Sequence, residues 1–91
     1  MPRQPIHIEN RRLSMGAHEY HLPIGSTVLG VAALRGDPVI FYAAPEGQKL
    51  TTPRKFVTLA DGRGYLPEIF GFIGTTETYV RTVHVFEDLT P

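Results

Sequence analysis

Apolar and polar side chains alternate with a period of two along most of this chain, the pattern of strands that bury one face. In residues 79–87 (YVRTVHVFE), Tyr79, Arg81, Val83 and Val85 fall on one side, and Val80, Thr82, His84 and Phe86 on the other. Residues 38–44 (PVIFYAA) set Val39, Phe41 and Ala43 against Ile40, Tyr42 and Ala44. Similar runs occupy 17–22 (AHEYHL), 54–59 (RKFVTL) and 68–73 (EIFGFI). Residues 26–35 (STVLGVAALR) are apolar on both faces, which predicts a central strand covered on both sides, with a bulge at Gly30. No window of about 11 residues keeps an apolar 3.6-residue period free of Gly and Pro, so helix is a minor component.

Punctuation divides these runs. Pro23–Gly25, Gly36–Pro38, Pro45–Gly47, Gly62–Gly64 and Gly71–Gly74 bracket them, and 75–78 (TTET) reads as a polar turn. Gly36-Asp37 predicts a tight turn joining 26–35 to 38–44 as a β-hairpin, with Pro38 admitted only as the first residue of its strand. Residues 48–53 read as loop. About six short antiparallel strands make an all-β fold, either a small barrel or a two-sheet sandwich.

The first 14 residues differ. Pro2 and Pro5 oppose a helix, and Ile6-His7-Ile8-Glu9 alternates as an arm would when laid on a neighbouring subunit or on its own sheet. The expected organisation is therefore an N-terminal arm over 1–14 and one all-β domain over 15–91.

Composition narrows the functional classes. Nine Lys plus Arg balance nine Asp plus Glu, which argues against a protein built to grip bulk nucleic acid or an anionic membrane. Cysteine is absent, so there is no disulfide framework and no thiolate metal site. Apolar runs reach about half the roughly 20 residues of a membrane span, and no signal-like segment precedes position 22, which predicts a soluble protein. At 91 residues the core is modest, and open strand edges favour homo-oligomers.

Catalytic signals are weak. His18 and His21 would point to opposite faces of a strand, so they cannot share a metal, and no ligand spacing accompanies His84. The hydroxyls of Thr51, Thr52, Thr75, Thr76 and Thr78 sit in turn-like segments without a nucleophile elbow or phosphate loop. Neither an enzyme nor a cofactor is expected. Charge is segregated, however. Residues 49–63 hold Lys49, Arg54, Lys55 and Arg63 against Asp61, and 64–91 hold Arg81 against Glu68, Glu77, Glu87 and Asp88. The basic segment next to Tyr65 predicts a small-ligand site, with Arg54 and Arg63 facing phosphate and Tyr65 stacking a base. Arg35 joins them if the turns around Gly36 and Gly62 converge. Otherwise these charges are solvated guards of a strand edge. Arg81 is expected to pair with Glu19 or Glu68.

Several short segments also resemble a known family. His18-Glu19-Tyr20-His21-Leu22-Pro23, Gly25-Ser26-Thr27-Val28-Leu29, Arg35-Gly36-Asp37-Pro38, Arg54-Lys55-Phe56 and His84-Val85-Phe86-Glu87 follow the order and spacing of short phage and prophage proteins of unknown function. The chain departs from that pattern where Phe41 or Tyr42 stands in place of a tryptophan, and in its basic arm. The resemblance implies a phage origin and residence in the host cytoplasm. It also implies action against host defence, by sequestering a nucleotide-derived signal (ADP-ribose-type or cyclic nucleotide) or, alternatively, by binding a host or phage protein. It assigns no catalytic residue.

Overall fold

The computed structural model describes residues 3–91. Seven strands carry the fold: β1 (Ile6–Arg12), β2 (Gly16–Pro23), β3 (Thr27–Leu34), β4 (Asp37–Pro45), β5 (Thr51–Ala60), β6 (Phe70–Glu77) and β7 (Thr82–Asp88). They form two antiparallel sheets, β1-β4-β3 and β2-β5-β7-β6, packed as a sandwich. Among the described residues there is no helix, and hence none long and apolar enough to cross a membrane.

The core lies where the inner faces meet. Ile40, Tyr42 and Ala44 of β4 pack with Tyr20 and Leu22 of β2, Phe56 of β5, Val85 of β7 and Leu13 of the β1–β2 link. The period of two decides this set: the same-parity residues of each strand point inward together. Val83 and Val85 are fully buried, as the alternation of 79–87 requires.

Several element boundaries and one position in the sheet order differ from the sequence expectation. Of the two placements expected for the arm, the structure shows the one on its own sheet: Ile6–Arg12 pairs along its whole length with β4, which raises the strand count to seven. The first two residues of that arm lie outside the described residues. The strand expected at the centre, β3, is instead an edge of its sheet with half-buried faces, and β4 takes the centre because β1 adds to its far side. The bulge does fall between Val28 and Gly30. Thr51–Pro53 extend β5, and Pro53 is tolerated because the ladder to β7 starts only at Lys55. Thr75, Thr76 and Glu77 continue β6 opposite His84, Val83 and Thr82, as β-branched threonines favour, so the turn moves to 78–81.

The β3–β4 turn is centred one residue earlier than expected. Leu34 pairs with Asp37, and the two residues between them, Arg35 and Gly36, have φ of 53° and 82°. Positive φ at both central positions is what a type I′ turn needs. Arg35 therefore sits in a conformation uncommon for a side chain of its size, and its guanidinium is carried outward on the tip. The Tyr79 ring, largely exposed, lies beside Gly36, so the β6–β7 turn sits next to the β3–β4 turn.

One partly buried hydrogen bond ties β1 to the core. The Tyr42 hydroxyl donates to Glu9 Oε2 at 3.0 Å. Burial, then the Glu9 hydrogen bond and charge, push the Tyr42 phenol above its ordinary value of 10.0. The folded state thus holds the proton more tightly than the unfolded chain. The associated stability is complete below pH 10 and declines as pH rises through the folded value. In alkaline urea titrations the wild type should lose stability above about pH 10 more steeply than Tyr42→Phe. Parallel curves would contradict this assignment.

Candidate functional site

An open cleft lies where the two sheets meet edge to edge. β3 and β6 run side by side without ladder hydrogen bonds. They come close at Gly74, where a Cβ would stand 2.8 Å from Val31 Cγ1. Toward the β2–β3 turn they diverge into a cleft of about 420 Å³, lined by Ser26–Leu29 on one side and Gly71–Ile73 on the other. Arg54 and Glu87 also line it.

Arg54 is rigidly held there. Its Nε and Nη2 donate to Glu87 Oε2 and Oε1, both at 2.7 Å, and Nη1 donates to the Ser26 carbonyl at 2.7 Å. The guanidinium also lies 5.9 Å from the Phe56 ring centroid. A bidentate fork of this kind is the strongest pairing geometry available to arginine. The side chains retain only 22% and 15% exposure, so the pair is partly withdrawn from water. Three of the five guanidinium N–H groups are used in these bonds, which leaves two for a ligand. The pair as a whole is neutral. It presents a donor and acceptor edge rather than a bare cation.

Phe72 forms an exposed wall of the cleft, 59% accessible, and its ring tilts against Phe86 at 5.3 Å. Phe86 in turn meets Phe70 edge-to-face at 5.5 Å. On the far side of this aromatic ridge, on the outer face of the four-stranded sheet, lies a hollow of about 240 Å³. It is lined by Leu59–Gly62, Gly64, His84 and Phe86.

His84 sits in that hollow between two partners. Its Nε2 contacts Asp61 Oδ1 at 2.6 Å and its Nδ1 contacts Thr75 Oγ1 at 2.9 Å. An ionised carboxylate only accepts, so Nε2 carries a proton, and in the neutral ring Nδ1 accepts from the Thr75 hydroxyl. The order hydroxyl, imidazole, carboxylate is that of a nucleophilic triad. Asp61, however, is 75% exposed, so water screens its effect on the ring. What the chain does physically is pin the start of the 61–69 loop to the sheet.

Comparison with known proteins gave no matching family model, no matching curated protein and no matching solved structure.

The four residues expected to form one site are not brought together. Arg54 lines the cleft beside the β2–β3 turn and the end of β7. Arg35 and Arg63 belong to the opposite end, since Gly36 touches Tyr79 and Ala60 pairs with Val83 at the start of β7. Tyr65 lies in the 61–69 loop, 86% exposed. Arg81 is exposed in the β6–β7 turn, and among the described residues its guanidinium meets neither Glu19 nor Glu68 within salt-bridge distance. Lys55 faces solvent on an interior strand, flanked in register by Glu19 and Asp88, so it guards no edge. Phe56 is the aromatic in contact with the Arg54 guanidinium, and the exposed aromatic that lines the same cleft is Phe72, which sequence reasoning passed over. The available signal was the phenylalanine spacing: Phe70 and Phe72 of β6 share a face, and Phe86 stands opposite Phe72.

Proposed function

We propose that this chain is a binding protein without catalytic chemistry of its own, which takes up a small nucleotide-type ligand in the cleft between β3 and β6. In the phage setting implied by the quoted segments, it would sequester a nucleotide-derived host signal of ADP-ribose or cyclic-nucleotide type, acting in the host cytoplasm. One observation carries this reading: a cleft of about 420 Å³ is lined both by the rigid Arg54–Glu87 pair and by Phe72, whose side chain is largely exposed. That volume falls in the range of small-molecule sites, roughly 300–1,000 Å³. Base stacking on an aromatic ring contributes about 1–3 kcal/mol. The two remaining Arg54 donors and the free lone pairs of Glu87 suit the polar edge of a base or a ribose hydroxyl.

Thermal melts against cyclic dinucleotides and ADP-ribose derivatives at about a hundredfold excess over the dissociation constant should raise the stability of the binder by about 2.7 kcal/mol for a true ligand. Phe72→Ala should weaken that ligand by about 1–3 kcal/mol while the protein stays folded. The ligand should also be recovered intact after denaturing the protein. A flat panel would overturn the reading.

A second reading, a module that docks a host or phage protein, is favoured by the exposed apolar side chains of the same ridge, Phe70 and Phe72, with Ile69 beside them in the chain. Aromatic clusters of this kind are enriched at interface cores. A flat ligand panel combined with a stoichiometric protein partner that is lost in Phe72→Ala would select it.

A further inference from the structure

β1 leaves one edge of the three-stranded sheet open, and every residue of this strand is exposed. The direction of its backbone groups follows from two hydrogen bonds at its ends. The Pro5 carbonyl accepts from the Glu46 amide, and the Leu13 amide donates to the Pro38 carbonyl. Odd-numbered residues therefore turn their N–H and C=O groups toward β4, and Ile6, Ile8, Asn10 and Arg12 turn theirs to the open edge. Proteins usually blunt such an edge with a proline, a bulge or a central charge. β1 has no proline, its pairing with β4 runs without a register shift, and its central charge, Glu9, is drawn to the Tyr42 hydroxyl on the inner side. The outer face beside the edge is apolar as well: Ile6 and Ile8 are 55% and 60% exposed, and Ile8 stands opposite Ala43 in register.

We propose that two copies of the chain pair antiparallel through this edge across a two-fold axis at Ile8, joining their sheets into one six-stranded sheet (three strands from each copy). Two-fold pairing that keeps inner and outer faces aligned must match residues of equal parity, which leaves axes at Ile8, Glu9 or Asn10. An axis at Glu9 sets two carboxylates opposite each other. An axis at Asn10 sets Ile8 against Arg12 and leaves Ile6 outside the paired segment. The axis at Ile8 sets Ile8 against its copy and Ile6 against Asn10, so both isoleucine pairs gather at the centre of the outer face. It also sets His7 against Glu9 of the second copy, twice, as an attractive cross-strand pair. Arg11 and Arg12 then fall at the outer ends, against Pro5 and Gln4. The opposite edge of this sheet, β3, already faces β6, so β1 is the side on which the sheet can grow.

The absence of cysteine makes the test direct. Across the axis the two Ile8 Cα atoms would stand about 5.5 Å apart, within disulfide reach, whereas the two Asn10 Cα atoms would be separated by about 13 Å. Under mild oxidation at tens of micromolar, Ile8→Cys should form a linked dimer at least about tenfold faster than Asn10→Cys or a Leu66→Cys control. Ile8→Lys should convert the wild-type dimer to a monomer by light scattering, with an unchanged far-ultraviolet spectrum because the side chain is exposed. A monomeric wild type, or a dimer that survives Ile8→Lys, overturns the proposal. Faster linking through Asn10→Cys overturns the register.

Discussion

Arg54→Ala should destabilise the fold by about 3 kcal/mol, at the lower end of the 3–5 kcal/mol typical of breaking a buried ion pair. The cost arises less from the lost attraction than from Glu87, left charged with only 15% of its side chain in water. The Ser26 carbonyl loses its donor at the same time, which loosens the β2–β3 turn. Glu87→Ala should cost a similar amount, and the double variant clearly less than the sum of the two. Arg54→Lys should not rescue, because an ammonium cannot reproduce the fork held by both carboxylate oxygens. Urea denaturation of the four proteins measures the coupling. A coupling energy near zero would mean that the pair is an incidental contact and that the base of the cleft is not rigid.

An effect of equal or larger size is expected at Phe56. Its side chain is 1% exposed and packs on Tyr20 at 6.0 Å in the cluster that also holds Leu22, Ile40 and Val85. Phe56→Ala removes its transfer free energy and leaves a cavity between the sheets, a loss of about 3–5 kcal/mol. For a domain of this size each kcal/mol lowers the melting point by about 4–8 °C, so a drop of about 12 °C or more is expected. Arg54 would lose its aromatic support as well, which ties the core to the cleft. Tyr65→Ala, by contrast, should stay within about 0.5 kcal/mol of wild type, since the ring meets mostly water. Calorimetry of both variants decides the matter, and a drop of only a few degrees in Phe56→Ala would contradict the packing described above.

Much of the fold was legible because strands and tight turns are written locally. The alternation in 38–44 and 79–87 sorted the side chains into two faces, and the structure turns the faces with Ile40 and Tyr42 and with Val83 and Val85 into the core. Gly36 marked its hairpin through a backbone conformation that few other residues accept. Local signals failed where a neighbour decides the outcome. The polar run 75–77 became strand only because β7 offers it partners, and Ile6–Arg12 became strand because β4 had a free side. The apolar run 26–35 looked doubly covered, yet its second face meets the edge of the other sheet rather than a full layer.

The candidate site divides along the same line. The sequence by itself determined the residue types available: a basic segment with Arg54 and Arg63, nine Tyr and Phe side chains, and no cysteine thiolate. It also determined the all-β class, through periods and turns that span only a few residues. Tertiary structure alone decided which charges neutralise one another and which remain available. Arg54 meets Glu87 across 33 positions, Tyr42 meets Glu9 across 33 and His84 meets Asp61 across 23. Contacts at such separations depend on strand order and register, and a one-residue slip would send each side chain to the other face. That is why a site expected from four neighbouring signals resolved into one held arginine in a cleft, an aromatic wall from another strand, and two arginines at the far end of the sandwich.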